Sequence, residues 1–219
     1  AARGLSAAQL TALGTAQVAA LGTAAIGGLG TAALAGLGTN DIAALGGEAV
    51  AALTSGQIAA LSTAQIRAIE TADLSQLGTL ALQGLGSDQI VGLSTAQIAA
   101  LSLAQVARLS TAAVLGLSTA ELAGLGGGEV GALTAAADRA RSATQVAGFD
   151  TAQIAALGTA AVAALSTAAL AGLGTADIAA LNDAAVAALT SGQLAALTSG
   201  PIGALEIAEL GRRSTAAMA

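Results

Sequence analysis

The chain has 219 residues, thirteen acids against seven Arg for a net charge of -6, no His, Cys, Trp or Tyr, and Phe149 as its one aromatic. This composition removes the usual general bases and nucleophiles, any Cys/His zinc site, any disulfide framework and any His haem ligand, so neither catalysis nor a cofactor is expected. An acidic balance without stacking rings excludes nucleic acid as an expected partner.

One pattern of eight residues runs through the chain without insertion or deletion. Counting slot one from Leu5, the 26 positions to Leu205 are Leu in 23 cases, with Ile69, Arg141 and Phe149 as exceptions. Slot six, from Leu10 to Leu210, is Leu, Ile or Val in 25 of 26 octads, and Asp138 alone departs. A continuous helix cannot use this spacing, because eight residues at about 100° each advance about 800° and swing an apolar stripe by about 80° per octad. The helix must therefore break once per octad. Slot two supplies the break: it is Ser, Thr, Asp, Asn or Gly in 24 of 26 octads, the residues favoured at a helix N-cap. Charge order agrees, since twelve of thirteen acids lie in slots two to five and all seven Arg (Arg3, Arg67, Arg108, Arg139, Arg141, Arg212, Arg213) in slots seven, eight or one. That is the sorting a helix dipole favours. The fold expected is all-α: a solenoid of helices of about seven residues, one per octad, over a single continuous array, 1–219. A β-solenoid is the alternative, disfavoured by the absence of apolar/polar alternation and by this sorting of charge.

Taken in chain order, the first predicted helices lie in a run, 4–40, that carries no charge and places Thr15, Thr23, Thr31 and Thr39 in slot three. Stacking would align such hydroxyls in rows that could bind ice or a partner, although they also serve as ordinary helix-start residues. The apolar character of this stretch does not imply membrane insertion, because it lacks about 20 predominantly apolar residues in one helix. In octad 61–68 Ser62 and Gln65 can form a capping box, while Leu61 and Ile66 can form a hydrophobic staple. Octad 93–100 repeats this with Ser94, Gln97, Leu93 and Ile98. From these pairs Ile98→Asp is expected to disrupt stacking and Gln97→Ala to cost only a capping contact. The clearest irregularity follows at 133–150, where Asp138 and Arg141 occupy core slots three residues apart and can meet as a satisfied or partly exposed ion pair, a ligand contact being the second reading. Leu157 and Val162 resume the core. Pro201 falls in the first helical turn, where its missing N–H matters little. No octad has the oxygen-ligand density of a calcium loop.

Slot eight is Ala or Gly in 23 of 26 octads, which lets backbones of neighbouring units approach. Helices this short need their neighbours, so stability is expected from stacking. Neither end of the array resembles a polar cap, and Ala1 is not an initiator Met; the chain reads as a processed, excerpted or incomplete piece, or as a subunit that stacks head to tail on other copies.

The octads LSTAQIRA (61–68), LSTAQIAA (93–100) and FDTAQIAA (149–156) resemble the tandem L-[ST]-T-A-Q-[IV]-x-A arrays of very large bacterial surface proteins, often labelled adhesin-like or haem-utilisation proteins. The resemblance covers almost the whole chain. It implies a structural role at the cell surface or outside the cell. The haem label finds no support in the residues, since Met218 is the one conventional soft ligand. The function expected is that of a self-associating fibre or stalk segment.

Overall fold

The structure, a computed structural model, describes residues 5–133, 135–197 and 200–205. Ala1, Arg3, Thr134, Thr198, Glu206, Glu209, Leu210, Arg212, Arg213 and Met218 lie outside the described residues. The chain forms two compact units, Ala1–Leu117 and Ser118–Ala219.

In the first unit each octad contributes one short helix: α1 (Ala7–Thr11), α2 (Thr15–Ala19), α3 (Thr23–Gly27), α4 (Thr31–Ala35), α5 (Thr39–Ala43), α6 (Gly47–Ala51), α7 (Ser55–Ala60), α8 (Thr63–Ala68) and α9 (Thr71–Leu74). A 3-10 turn, Ala81–Gly84, takes the next place, followed by α10 (Ser87–Ile90), α11 (Thr95–Ala99), α12 (Leu103–Val106) and α13 (Thr111–Gly116). The second unit holds α14 (Thr119–Ala123), α15 (Gly127–Gly131), α16 (Ala135–Ala140), α17 (Ala143–Ala147), α18 (Thr151–Ala155), α19 (Thr159–Ala164), α20 (Thr167–Leu170), α21 (Thr175–Ala180), α22 (Asp183–Ala187) and α23 (Ser191–Ala196). Residues 200–205, with Pro201, are also helical. No strand occurs among the described residues, so the β-solenoid alternative falls.

The helices have four to six residues rather than about seven. Slot two is extended, as an N-cap must be, and slot one often is too: Leu61 has φ -72° and ψ 141°, and Ser62 φ -72° and ψ 161°. The break therefore takes up more of the octad than a cap alone. It needs no left-handed residue, since no described residue, Gly included, has positive φ. The Gly residues serve instead as N-caps, as at Gly30 and Gly158, or as points of close approach.

Within each unit, helices pack on those three octads further along. In the first unit α1 meets α4, α2 meets α5, α3 meets α6, α7 meets the 3-10 turn, and α10 meets α13. In the second unit α14 meets α17, α16 meets α19, and α20 meets α23. One coil is thus three octads, 24 residues, within each unit. Slots one and six fill the interior: Leu61, Ile66, Leu93, Ile98, Leu157 and Val162 are all buried.

Slot eight shows why it must be small. A Cβ added at Gly92 would lie 2.6 Å from the Thr63 carbonyl oxygen, and one at Gly172 2.6 Å from that of Ala143, each 29 residues back. Where slot eight is large, as Gln76, the residue 29 positions earlier is Gly47, and a Cβ there would collide with the Gln76 amide.

Candidate functional site: the glutamine joints between coils

With no catalytic constellation in the sequence, the residues that stand out are buried polar ones. Slot five is the third helical residue. When it is Gln and slot two is Ser or Thr, its backbone N–H donates to the slot-two hydroxyl and its Oε1 accepts from the slot-two N–H. At Ser94 and Gln97 these distances are 3.2 and 2.8 Å, and Ser94 Oγ also donates to Gln97 Oε1 at 3.1 Å. This is the capping box the spacing predicts.

The other end of the amide does something the spacing did not reveal. Gln97 Nε2 donates to the carbonyl oxygens of Ile69 at 2.6 Å and Arg67 at 3.2 Å, at the C-terminal end of α8. Those carbonyls are orphans of the last helical turn and lack an intrahelical partner. One side chain therefore caps the start of its own helix and the end of a helix in the preceding coil. The same joint recurs in the first unit at Gln57 (Ile26 O, 2.8 Å; Leu29 O, 3.0 Å), at Gln65 (Ala35 O, 3.0 Å; Leu37 O, 2.8 Å) and at Gln105 (Leu74 O, 3.1 Å; Leu77 O, 2.9 Å). In the second unit it recurs at Gln153 (Leu122 O, 2.8 Å; Leu125 O, 2.6 Å) and Gln193 (Val162 O, 2.8 Å; Leu165 O, 2.9 Å). All six Gln are buried. The expectation that Gln97→Ala removes only a capping contact is thereby corrected.

Acids in slot five perform half of this task. Asp41 accepts from Gly38 N at 3.2 Å, Glu121 from Ser118 N at 2.7 Å and Asp177 from Gly174 N at 2.8 Å. A carboxylate has no N–H for the carbonyls of the previous coil, and all three stay half-buried. Where slot five is Ala, slot two can substitute. Asn182 accepts from Ala185 N at 2.9 Å and donates to Ala155 O and Leu157 O, both at 3.4 Å. Ser110 accepts from Ala113 N at 3.1 Å and donates to Leu85 O at 3.0 Å.

The irregular segment is different in kind. Asp138 and Arg141 do meet, Nη1 to Oδ1 at 2.9 Å, but in the interior, with relative exposures of 0% and 2%. The ion pair expected from the spacing forms, but not in its partly exposed version, because both side chains turn inward in their core slots. No carboxylate or guanidinium atom of the two has a well-directed hydrogen bond. The Arg141 guanidinium lies 5.0 Å from the centre of the Phe149 ring, close enough for a cation–π contact. Burial pushes the Asp138 carboxyl up to about 6, against the pull of Arg141, and the same burial lowers Arg141.

Thr15, Thr39 and Thr63 are exposed, one coil apart, and Thr15 Oγ1 donates to Asp41 Oδ1 at 3.0 Å. The corresponding row of the first unit that begins at Thr31 is interrupted at Leu103. Among the described residues no group of three or more acids is placed to hold a metal ion, and no helix is long and apolar enough to cross a membrane.

No curated protein matches the chain. The ALTTAQ repeat model matches residues 34–68, 66–103, 146–182, 162–199 and 170–207, more than half of the sequence. Its six letters fall on slots eight and one to five, as in ALSTAQ at 60–65, so they include the cap, the core Leu and the joint-forming Gln. The chain belongs to the ALTTAQ repeat family.

Proposed function

We propose that the array is a non-catalytic structural protein whose coils stack head to tail, so that copies extend one another into a fibre or stalk on the outside of a bacterial cell. The observation that carries this reading is that the two faces of a coil are different and complementary. Toward the preceding coil a coil presents slot-one Leu and the Gln amide donors; toward the following one it presents slot six and the carbonyls that receive those donors.

Coil 5–28 presents the first kind of face. Leu10, Val18 and Ile26 are fully buried there, whereas Leu5, Leu13 and Leu21 are half-exposed. Gln9 and Gln17 are exposed; their Oε1 atoms accept from Ser6 N and Gly14 N, and their Nε2 atoms have no partner among the described residues. In the second unit Leu194 and Ile202, both in slot six, are 37% and 36% exposed while Leu197 is buried, which is the second kind of face. Low charge and alternating apolar rows favour association over dispersal. The resemblance of octads 61–68, 93–100 and 149–156 to the arrays of bacterial surface proteins supports the location.

Electron microscopy and sedimentation of the purified chain test this. Wild type is expected to form filaments of uniform width. The double variant Gln9→Glu/Gln17→Glu keeps the cap acceptors and removes the donors, so it should stay folded and largely monomeric. Filaments that persist unchanged in the double variant would refute the proposed joint. Monomers of wild type that slow ice growth would favour the Thr rows instead.

A further inference from the structure

The buried pair in the second unit has no part in the stacking just described. Two charges have left water there, yet they share one 2.9 Å contact, and Asp138 Oδ2 and Arg141 Nε and Nη2 have no hydrogen-bond partner among the described residues. Such a pair is a poor source of stability, because desolvation offsets attraction and each unfilled donor or acceptor adds its own penalty. The surroundings do not help. α19, packed on α16, and α20, packed on α17, carry no titratable side chain, and neither does α17; Arg139 on α16 is exposed, and Glu121 on α14, which also packs on α17, is half-buried with its carboxylate accepting from Ser118 N at 2.7 Å. Among the described residues Arg141 is the charged group in contact with Asp138, and its guanidinium lies over the ring of Phe149.

We infer that the Asp138–Arg141 pair is a pH-sensitive weak point, which holds the coil around α16 and α17 more tightly in mild acid and loosens it as the medium approaches neutrality. The sign follows from the proton. Burial raises the Asp138 carboxyl from its ordinary 3.8 to about 6, so the folded coil takes up a proton more readily than the open chain does. The stability this proton confers is fully present below 3.8 and is lost as pH rises through 6. Protonation also removes one of the two desolvated charges and turns an acceptor-only group into one that can donate.

Hydrogen exchange of the full chain, corrected for intrinsic rates, reads the opening of α16 and α17 directly. Between pH 5 and pH 7.5 the opening equilibrium should rise about tenfold at residues 137–147, with no comparable change in α21 and α22. Asp138→Asn, which mimics the neutral acid, should abolish that rise. Asp138→Leu/Arg141→Leu should remove it too while holding low opening at both pH values, and it decides the matter if the single variant does not fold. A wild-type opening that changes by less than about twofold over this range, or a pH response that survives in the folded variants, would overturn the inference.

Discussion

Glutamine earns its place in slot five by having a donor and an acceptor on one short stem. At Gln97 the acceptor end faces a free helix N-terminus and the donor end faces free carbonyls of the previous coil, 2.6 and 3.2 Å away. Truncation to Ala would leave buried groups on both sides without partners, and each such group costs on the order of 1–3 kcal/mol. Gln97→Ala is therefore expected to destabilise the first unit by about 2–4 kcal/mol in denaturant titrations. Gln97→Glu is nearly isosteric and retains the cap, but it points carboxylate oxygen at carbonyl oxygen and should be at least as harmful. Gln17 provides the control. It makes the same cap contact but is exposed, so Gln17→Ala should cost about 1 kcal/mol or less. Equal losses at Gln17 and Gln97 would mean that the contact between coils contributes nothing.

A helix of four to six residues does not persist in water, so every element here depends on how closely the next coil can approach. Slot eight sets that distance. Gly92→Ala would drive a Cβ to 2.6 Å from Thr63 O and 2.9 Å from Thr63 Cα, both backbone atoms that cannot swing aside. The expected loss is about 1–3 kcal/mol, the usual range for overpacking. Other glycines answer to a different requirement. Gly30 is an N-cap with extended φ and ψ of -65° and 149°, it makes no side-chain cap bond, and a Cβ there would meet nothing within 4 Å. Gly30→Ser should supply an acceptor for Ala33 N, as Ser110 does for Ala113 N at 3.1 Å. A gain of a few tenths to about 1 kcal/mol is expected, read as a shift in denaturation midpoint. The two substitutions involve the same residue type and small added groups, so their opposite signs separate approach from capping.

The whole molecule follows from a pattern that is legible only over short range. Leu61 with Ile66, or Ser62 with Gln65, lie within one octad, and their chemistry announces a cap, a staple and a core. Which octad lies against which is another matter, because near-identical units fit one another in any order and periodicity does not distinguish two per coil from three or four. For the same reason the second role of Gln could not be seen: its partners are backbone carbonyls, present whatever the sequence, about 28 to 31 positions back. Likewise, the spacing of Asp138 and Arg141 showed that they could meet but not that they would do so away from water. One trace of the coil does survive in the sequence. Gln76, one of the few large residues in slot eight, stands 29 positions after Gly47, and the structure sets them against each other. This makes the three-octad coil testable by deletion. Removing octad 61–68 leaves the repeat in frame, but it carries Gln76 back one position so that it faces the place of Thr39 instead of Gly47. Thr39 carries a side chain where Gly47 has none, and a loss of about 1–3 kcal/mol is expected from the clash. Adding Gln76→Ala to the deletion should recover most of it, whereas Gln76→Ala alone should not stabilise the intact chain. Recovery is specific to three octads per coil: with two or four, Gln76 would never have faced Gly47, and the shortened chain would gain nothing from the smaller side chain.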